Sequence, residues 1–326
     1  ASGPVNGWAP TPVDLTQIAY GADSRVGSLL AVADASGRHG LVSLAGVAAA
    51  WYFGNNTSGE PMYDRTTGRT YDGVDAAGVR NLNSGAESTI HGLLTMLALD
   101  EHPEAATVAA VADRVEVDTW QLVEVESGEL GGPATVHEPE SAWTGESQWS
   151  GGAGVRLEPG GTITLPDLAV TDALLMPVVL LDPAAGATRW ERGGEVAGRV
   201  RHEQVGPQGD SPAPGLLSAE RLRREGAPGD VVTVTGRGTT TYVDALLVQP
   251  LVEHLVLGGR QSGTALLRSF GDGPLTASVT VPGEGTASIS VYSSTGALIS
   301  SSTSEESTVE VDLPRGGFAL VIRTPG

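Results

Sequence analysis

The feature that constrains this chain most is a change of hydrophobic period near Arg114. Before it, apolar residues recur at helical spacing. Leu15, Ile18, Val26, Leu29, Leu30 and Val32 suit one helix, with Gly21 as a point of interruption; Leu41 to Phe53 suits a second and Ala86 to Leu99 a third. Ala105 to Ala112 suits a short fourth, with Pro103 in its first turn, where a missing N–H costs nothing. After Arg114 the chain alternates apolar with polar, the period of half-buried strands. Such runs begin at Gln121–Ser127 and continue through Val155–Leu165, Leu174–Leu181, Val231–Thr235 and Thr241–Val248. Four more follow a Gly258-Gly259 pair: Leu275–Val281, Ala287–Tyr292, Thr308–Leu313 and Phe318–Arg323, with turns at Pro282-Gly283 and Arg315-Gly316-Gly317. The pattern predicts a multidomain α and β chain with helices over 1–116, a sandwich over 117–257 and a small immunoglobulin-like sandwich over 258–326. Two segments break the pattern. Gly54 to Asn83 is a long polar loop of the kind that is functional or disordered, and Ala184 to Gly229, rich in Gly, Pro and charge, is expected to hold long loops.

Composition removes several functions. The chain has 326 residues, enough for two or three cores, and its 45 glycines with only 5% aromatics favour short strands joined by turns. Nineteen basic against 39 acidic residues give a net charge of −20, which repels phosphate backbones and anionic lipid. All the basic residues are Arg, so Schiff-base and P-loop lysine chemistry are absent, and with no Cys there are no disulfides or thiolate sites. The six His show no metal-binding spacing, and no apolar run approaches the roughly 20 residues of a membrane helix. A secreted or cell-surface location is expected, with any export signal upstream of Ala1.

The most distinctive text runs from Trp51-Tyr-Phe-Gly-Asn-Asn-Thr-Ser-Gly-Glu-Pro-Met-Tyr-Asp64 through Thr70-Tyr-Asp-Gly-Val74 to Asn81-Leu-Asn-Ser-Gly-Ala-Glu-Ser-Thr89. Over about 50 residues it resembles the end of the (α/α)-toroid domains of bacterial carbohydrate-active proteins. The resemblance implies that 1–116 is the terminal part of an (α/α) barrel of six helical hairpins. An N-terminal polypeptide would then supply the rest, and helices cut from a barrel should expose an apolar face. An autonomous four-helix unit is the alternative. On the toroid reading, Glu87 is the candidate base, Asp72 a substrate contact, and Tyr63, Asp64, Tyr71, Asn83 and His91 contact sugar. The same residues also suit plain structure: Asp64, Asp72 and Asp75 are turn formers, and Ser84-Gly-Ala-Glu87 has the spacing of a capping box. Asn55-Asn56-Thr57-Ser58 satisfies the glycosylation sequon twice.

In the middle segment, Leu122-Val-Glu-Val-Glu-Ser-Gly128 places Glu124 and Glu126 on one face of a strand, and Tyr242-Val-Asp-Ala-Leu-Leu-Val248 sets Asp244 in an apolar one. Together with Trp149-Ser-Gly-Gly-Ala-Gly-Val-Arg-Leu157, this order resembles carbohydrate-binding modules of families 6 and 35. That implies a galactose-binding-like jelly roll in which Glu124, Glu126 and Asp244 hold a structural Ca²⁺, chemistry that suits a hard cation preferring carboxylate oxygens. The plain alternative is a solvated edge strand. The 184–229 segment departs from the family pattern. Trp143, Trp149 and Trp190 are the candidate sugar platforms, or else core residues.

Three functions stay open. The chain is part of an exported polysaccharide-degrading enzyme, contributing one wall of a glycoside hydrolase site plus glycan-binding domains; or a non-catalytic glycan-binding array; or part of a polysaccharide lyase using Tyr71, Asn83 and His91.

Overall fold

The computed structural model describes residues 16–165, 171–206 and 208–325, so Leu15 of the expected first helix lies outside the described residues. The described chain divides into two compact units, 119–251 and 16–118 together with 252–325.

The unit 119–251 is a two-sheet antiparallel sandwich, as the alternation predicts. One sheet orders strands Leu216–Ala219, Ala173–Leu181, Thr241–Pro250, Gly154–Leu157 and Ala134–His137, with Gln121–Glu124 also paired to Thr241–Pro250. The other orders Glu195–Arg201, Ala187–Arg192, Val232–Arg237, Thr162–Leu165 and Glu129–Gly131. Val155, Leu157, Ile163, Leu175, Trp190, Val234 and Leu246 fill the space between the sheets. Each such side chain stabilises the fold by roughly 1.5–3 kcal/mol relative to exposure. The segment 184–229 is more regular than its composition suggests. It contains the hairpin Ala187–Arg192/Glu195–Arg201 and the strand Leu216–Ala219.

The second unit joins helices to a smaller sandwich. Helix α1 spans Ala19–Ser36, α2 His39–Ala49, α3 Ala86–Glu101 and α4 Pro103–Ala109. Gly21 lies inside α1 without breaking it. The helix ends at Gly37, whose φ of 67° lets its N–H reach Ala33 O, the left-handed cap that favours glycine. A single-turn 3₁₀ helix, Ala50–Phe53, extends α2.

The sandwich of this unit has a six-stranded sheet in the order Leu298–Ser304, Ala287–Tyr292, Phe318–Arg323, Gly263–Ser269, Val252–Gly258, Asp113–Asp118. Leu275–Thr280 and Thr308–Leu313 pair separately, and their inward residues share a core with the large sheet. The second layer thus has two strands, where an immunoglobulin constant-type fold divides four and three. The domain boundaries differ from those expected at 116/117 and 257/258. Asp113–Asp118 is a strand rather than the end of a helical region, and Val252–Gly258 pairs with it, so Gly258-Gly259 is a hairpin and not a junction.

The four helices are also not set apart from this sandwich. Val47 of α2 and Val108 of α4 pack in one buried cluster with Tyr292, Phe318 and Leu320. Tight approach makes this possible: a Cβ on Gly40 would lie 2.6 Å from Tyr292 Cδ1, and one on Gly46 would lie 2.6 Å from Ala105 O and 2.7 Å from Val108 Cβ. By contrast, one stripe of α3 is uncovered among the described residues, with Ile90, Leu93, Leu94 and Leu97 all 42–60% exposed. Their i, i+3, i+4, i+7 spacing is that of a core-facing helix stripe.

The α2–α4 contact gives a direct test. Gly46→Ala should gain up to about 1 kcal/mol of helix propensity and lose roughly 1–3 kcal/mol to overpacking. The net result expected in a thermal melt is a lower Tm for the helical unit.

Candidate functional site

The three acids singled out in the sandwich come together around one turn. Gln121–Glu124 ends in a 3₁₀ turn, Val125–Ser127, so Glu124 and Glu126 are not alternate residues of one strand as expected. Both nevertheless face the turn at Ser150–Gly152, on which Asp244 also converges. Ser150 N–H donates to Asp244 Oδ1 at 2.9 Å, and Ser150 Oγ donates to Glu124 Oε1 at 2.6 Å. Gly151 has φ 60°, and a Cβ there would sit 3.3 Å from Glu124 Oε1 and 3.5 Å from Glu126 Oε1. Glycine therefore meets two needs at once, the left-handed backbone and room between two carboxylates.

What remains of the three acids is unpaired. Glu124 Oε2, Glu126 Oε2 and Asp244 Oδ2 are buried without a hydrogen-bond partner. Among the described residues no group of three or more His, Cys, Asp or Glu side chains is placed so that it could hold a metal ion as it stands. Burial, then the charges of Glu124 and Glu126, push the Asp244 carboxyl up to about 8 despite the Ser150 bond, and burial followed by Glu126 pushes Glu124 up as well. Orphaned buried acceptors are costly unless a proton or cation compensates them. A set of carboxylate oxygens with no nitrogen or sulfur donor fits a hard divalent cation.

The tryptophans separate clearly. Trp190 lies at the centre of the core and Trp149 is buried over Gly154, so neither can present a ring to a ligand. Trp143 is 54% exposed, in the turn where its carbonyl accepts from Ser141 and Ser211.

In the helical unit most of the expected sugar contacts have structural work. Asp64 holds its turn, accepting from Thr66 N–H and Oγ and from Thr67 Oγ, and these bonds, the Thr66 hydroxyl first, lower its pKa to about 2. Tyr63 and Tyr71 pack against the cluster of Trp51, Tyr52, Met62 and Val74. Arg69 and Arg80 each lie 5.9 Å from the Tyr71 ring centre, so guanidinium groups already flank it. Both sequon asparagines are buried and bonded through their side-chain amides to backbone oxygens.

Asp72 ties two helix starts. Its main-chain oxygen accepts from Ala19 N–H, the first residue of α1, and its Oδ1 accepts at 2.9 Å from Gly85 N–H at the N-cap of α3. The capping box expected of Ser84 and Glu87 is thus not formed, because Gly85 is the N-cap and Ser84 Oγ pairs with Thr89 Oγ1. Asp72 takes the carboxylate role, while the exposed Glu87 carboxylate has no hydrogen-bond partner among the described residues. Asn83 is exposed, with its carbonyl accepting from Asp72 N–H. Asp72 also lines a cleft of about 250 Å³ with Asp75, Arg80 and Asn81.

His91 is held by Asp23, a residue the sequence did not mark: His91 Nδ1 lies 2.7 Å from Asp23 Oδ2, and Thr95 Oγ donates to Asp23 Oδ1 at 2.6 Å. Ser150 was missed in the same way. Its only signal was the following Gly-Gly pair, and Asp23 had none, since its partner lies 68 residues away.

No protein-family model matches the sequence, and no curated protein matches it. Solved structures do align with part of the chain. A family 36 carbohydrate-binding module of a xylanase from the hindgut metagenome of Trinervitermes trinervoides aligns at TM-score 0.29 and 12% identity, covering 40% of this chain and 95% of the module. A C-terminal family 6 module of a Zobellia galactanivorans laminarinase aligns at 0.31 and 11%, covering 40% and 98%. An exo-β-1,3-galactanase from Phanerochaete chrysosporium aligns at 0.31 and 16%, and the chain spans only 30% of that enzyme's length. No helix of the described residues is long and apolar enough to cross a membrane.

The raised carboxyls predict a pH dependence. A folded pKa near 8 above an ordinary carboxylate value means that the folded state binds the extra proton between them, so stability falls as pH rises through that window. Chelator-treated protein should therefore lose Tm from about pH 4 to about pH 8. Asp244→Asn, which keeps an acceptor for Ser150, should flatten that slope and raise the Tm at pH 8.

Proposed function

We propose that this chain is the C-terminal part of an exported protein that binds and degrades polysaccharide. On this reading residues 119–251 are a cation-stabilised glycan-binding module and the helices contribute one wall of a toroid glycoside hydrolase site. The observation that carries the reading is the group of three carboxylates around Ser150–Gly151, each with a buried, unpartnered oxygen. Glu124, Glu126 and Asp244 would hold Ca²⁺, which would neutralise their charges and tie the first strand of the module to the last. Trp143 is the exposed ring on which a sugar would stack.

In the helical unit Glu87 is the candidate base. It sits unpartnered in the first turn of α3, where a negative charge is favoured. It would take a proton from the attacking water while an acid from a partner polypeptide protonates the leaving oxygen. The uncovered stripe of α3 supports such a partner, an N-terminal polypeptide whose helices complete the barrel. Asp72 and the cleft beside it, together with the exposed Asn83, would contact sugar; a secreted or cell-surface location follows from the same reading. The open surface around Glu87 favours a second reading for the chain alone, a non-catalytic glycan-binding array.

Two measurements test this. Millimolar Ca²⁺ should raise the Tm of 119–251 within the full chain, by about 2.7 kcal/mol of stability at a hundredfold excess over Kd, and Asp244→Ala should abolish the rise. Trp143→Ala should weaken glycan binding at least tenfold with unchanged Tm; a wild-type protein indifferent to calcium and glycan alike would sink the module reading. For catalysis, Glu87→Gln in the native assembly should lose turnover without a change in melting, whereas retained turnover would remove Glu87 as the base.

A further inference from the structure

The helices α1 and α3 start at the same residue, Asp72, whose main-chain oxygen bonds Ala19 N–H and whose carboxylate bonds Gly85 N–H. They therefore run side by side in the same direction, and Asp23 bridges them by contacting His91 and Thr95 one turn apart on α3. Asp23 has both carboxylate oxygens committed. Oδ1 accepts from Thr95, which is fully buried, and Oδ2 lies 2.7 Å from His91 Nδ1. A carboxylate only accepts, so Nδ1 carries the proton, and in the neutral ring Nε2 is left as an acceptor. No described residue bonds to Nε2, and His91 is about one-third exposed against 16% for Asp23.

Two further groups lie near the His91 imidazole or one turn from it on the same helix. Tyr20, 43% exposed and one turn before Asp23 on α1, has its ring centre 6.2 Å from that of His91. Glu87, one turn before His91 on α3, adds an exposed carboxylate. An imidazole nitrogen held in orientation, a carboxylate acceptor a helical turn away and an aromatic ring beside them form a surface for a ring-shaped molecule rich in hydroxyl groups. An anionic ligand would face Glu87, Asp23 and a net charge of −20.

We propose that His91 Nε2, held in register by Asp23, accepts a hydrogen bond from a carbohydrate hydroxyl whose ring packs on Tyr20. Asp23 is a positioning residue here, since it acts only through the imidazole. The inference rests on the glycan reading above and deepens its helical-unit site, adding Asp23 as the group that orients His91 and Tyr20 as the ring beside it.

The test uses the full chain labelled with ¹⁵N-histidine. Long-range ¹H–¹⁵N spectra at neutral pH should show His91 as the Nδ1–H tautomer, with the Nδ1–H form lost in Asp23→Ala and retained in Asp23→Asn, which still offers an acceptor. Titration with xylohexaose, laminarihexaose and cellohexaose should move the His91 Nε2 signal for at least one of them. For that sugar His91→Ala and Tyr20→Ala should each weaken binding to the helical unit at least fivefold, and Asp23→Asn should restore most of what Asp23→Ala loses. A sugar that shifts signals of 119–251 and leaves Nε2 untouched overturns this inference while leaving the module reading standing. Variants that lower Tm but leave the His91-linked affinity unchanged reduce the pair to a tie between helices, which also overturns it. Binding by neither unit overturns both readings.

Discussion

The pairing of Asp113–Asp118 with Val252–Gly258 is the constraint on which the rest of this chain depends. It brings together segments more than 130 residues apart in sequence and completes the six-stranded sheet on which α2 and α4 pack. Closing so long a loop costs chain entropy that grows only slowly with its length, which is why a whole sandwich can be accommodated between two neighbouring strands. The strand pair runs from His254 opposite Asp118 to Gly258 opposite Asp113, with a bulge that shifts the register between Val256 and Leu257, and His254 Nε2 meets Glu116 at 3.0 Å. Its side chains are largely exposed, so the ladder rather than a core holds the outer strand.

A different balance governs the carboxylate group of the sandwich. Its apolar core would be more stable with apolar residues at these positions, since burying a carboxylate without a partner costs several kcal/mol unless it is neutralised. Ser150 satisfies one oxygen each of Glu124 and Asp244 and leaves the others unpaired. A fold that carries such a group between its first and last strands gains from anything that supplies positive charge there. At the helical unit, polar groups are arranged in the opposite way. Asp72, Asp23 and Thr95 are engaged by neighbours, while Glu87 is exposed and no described residue bonds to His91 Nε2.

Much of this was legible from local pattern. The helical period before Arg114, the alternation after it and the positions of four C-terminal strands follow from how side chains meet one face of an element, a property of neighbours in sequence. Glu124, Glu126 and Asp244 could be grouped only through a family resemblance, and the structure places them about the same turn while replacing the expected strand geometry of Glu126 by a 3₁₀ turn. Trp149 and Trp190 could not be sorted from Trp143 by sequence, because Gly and Ser neighbours occur both in exposed loops and where a backbone lets a large ring pass, as Gly154 does beneath Trp149.

The sequence by itself determined the type of most elements, the net acidity of the chain, and the absence of lysine and thiol chemistry. Tertiary structure alone decided the insertion of 119–251 between two strands of another sheet, the transfer of the capping role from Glu87 to Asp72, and the pairing of Asp23 with His91. The physical reason is the same in each case. Hydrophobic period and turn chemistry act over a few residues and are written in order along the chain. A strand ladder, a carboxylate capping a distant helix and a carboxylate fixing an imidazole each join groups from 13 to more than 130 residues apart, by bonds that carry no trace in the residues between them.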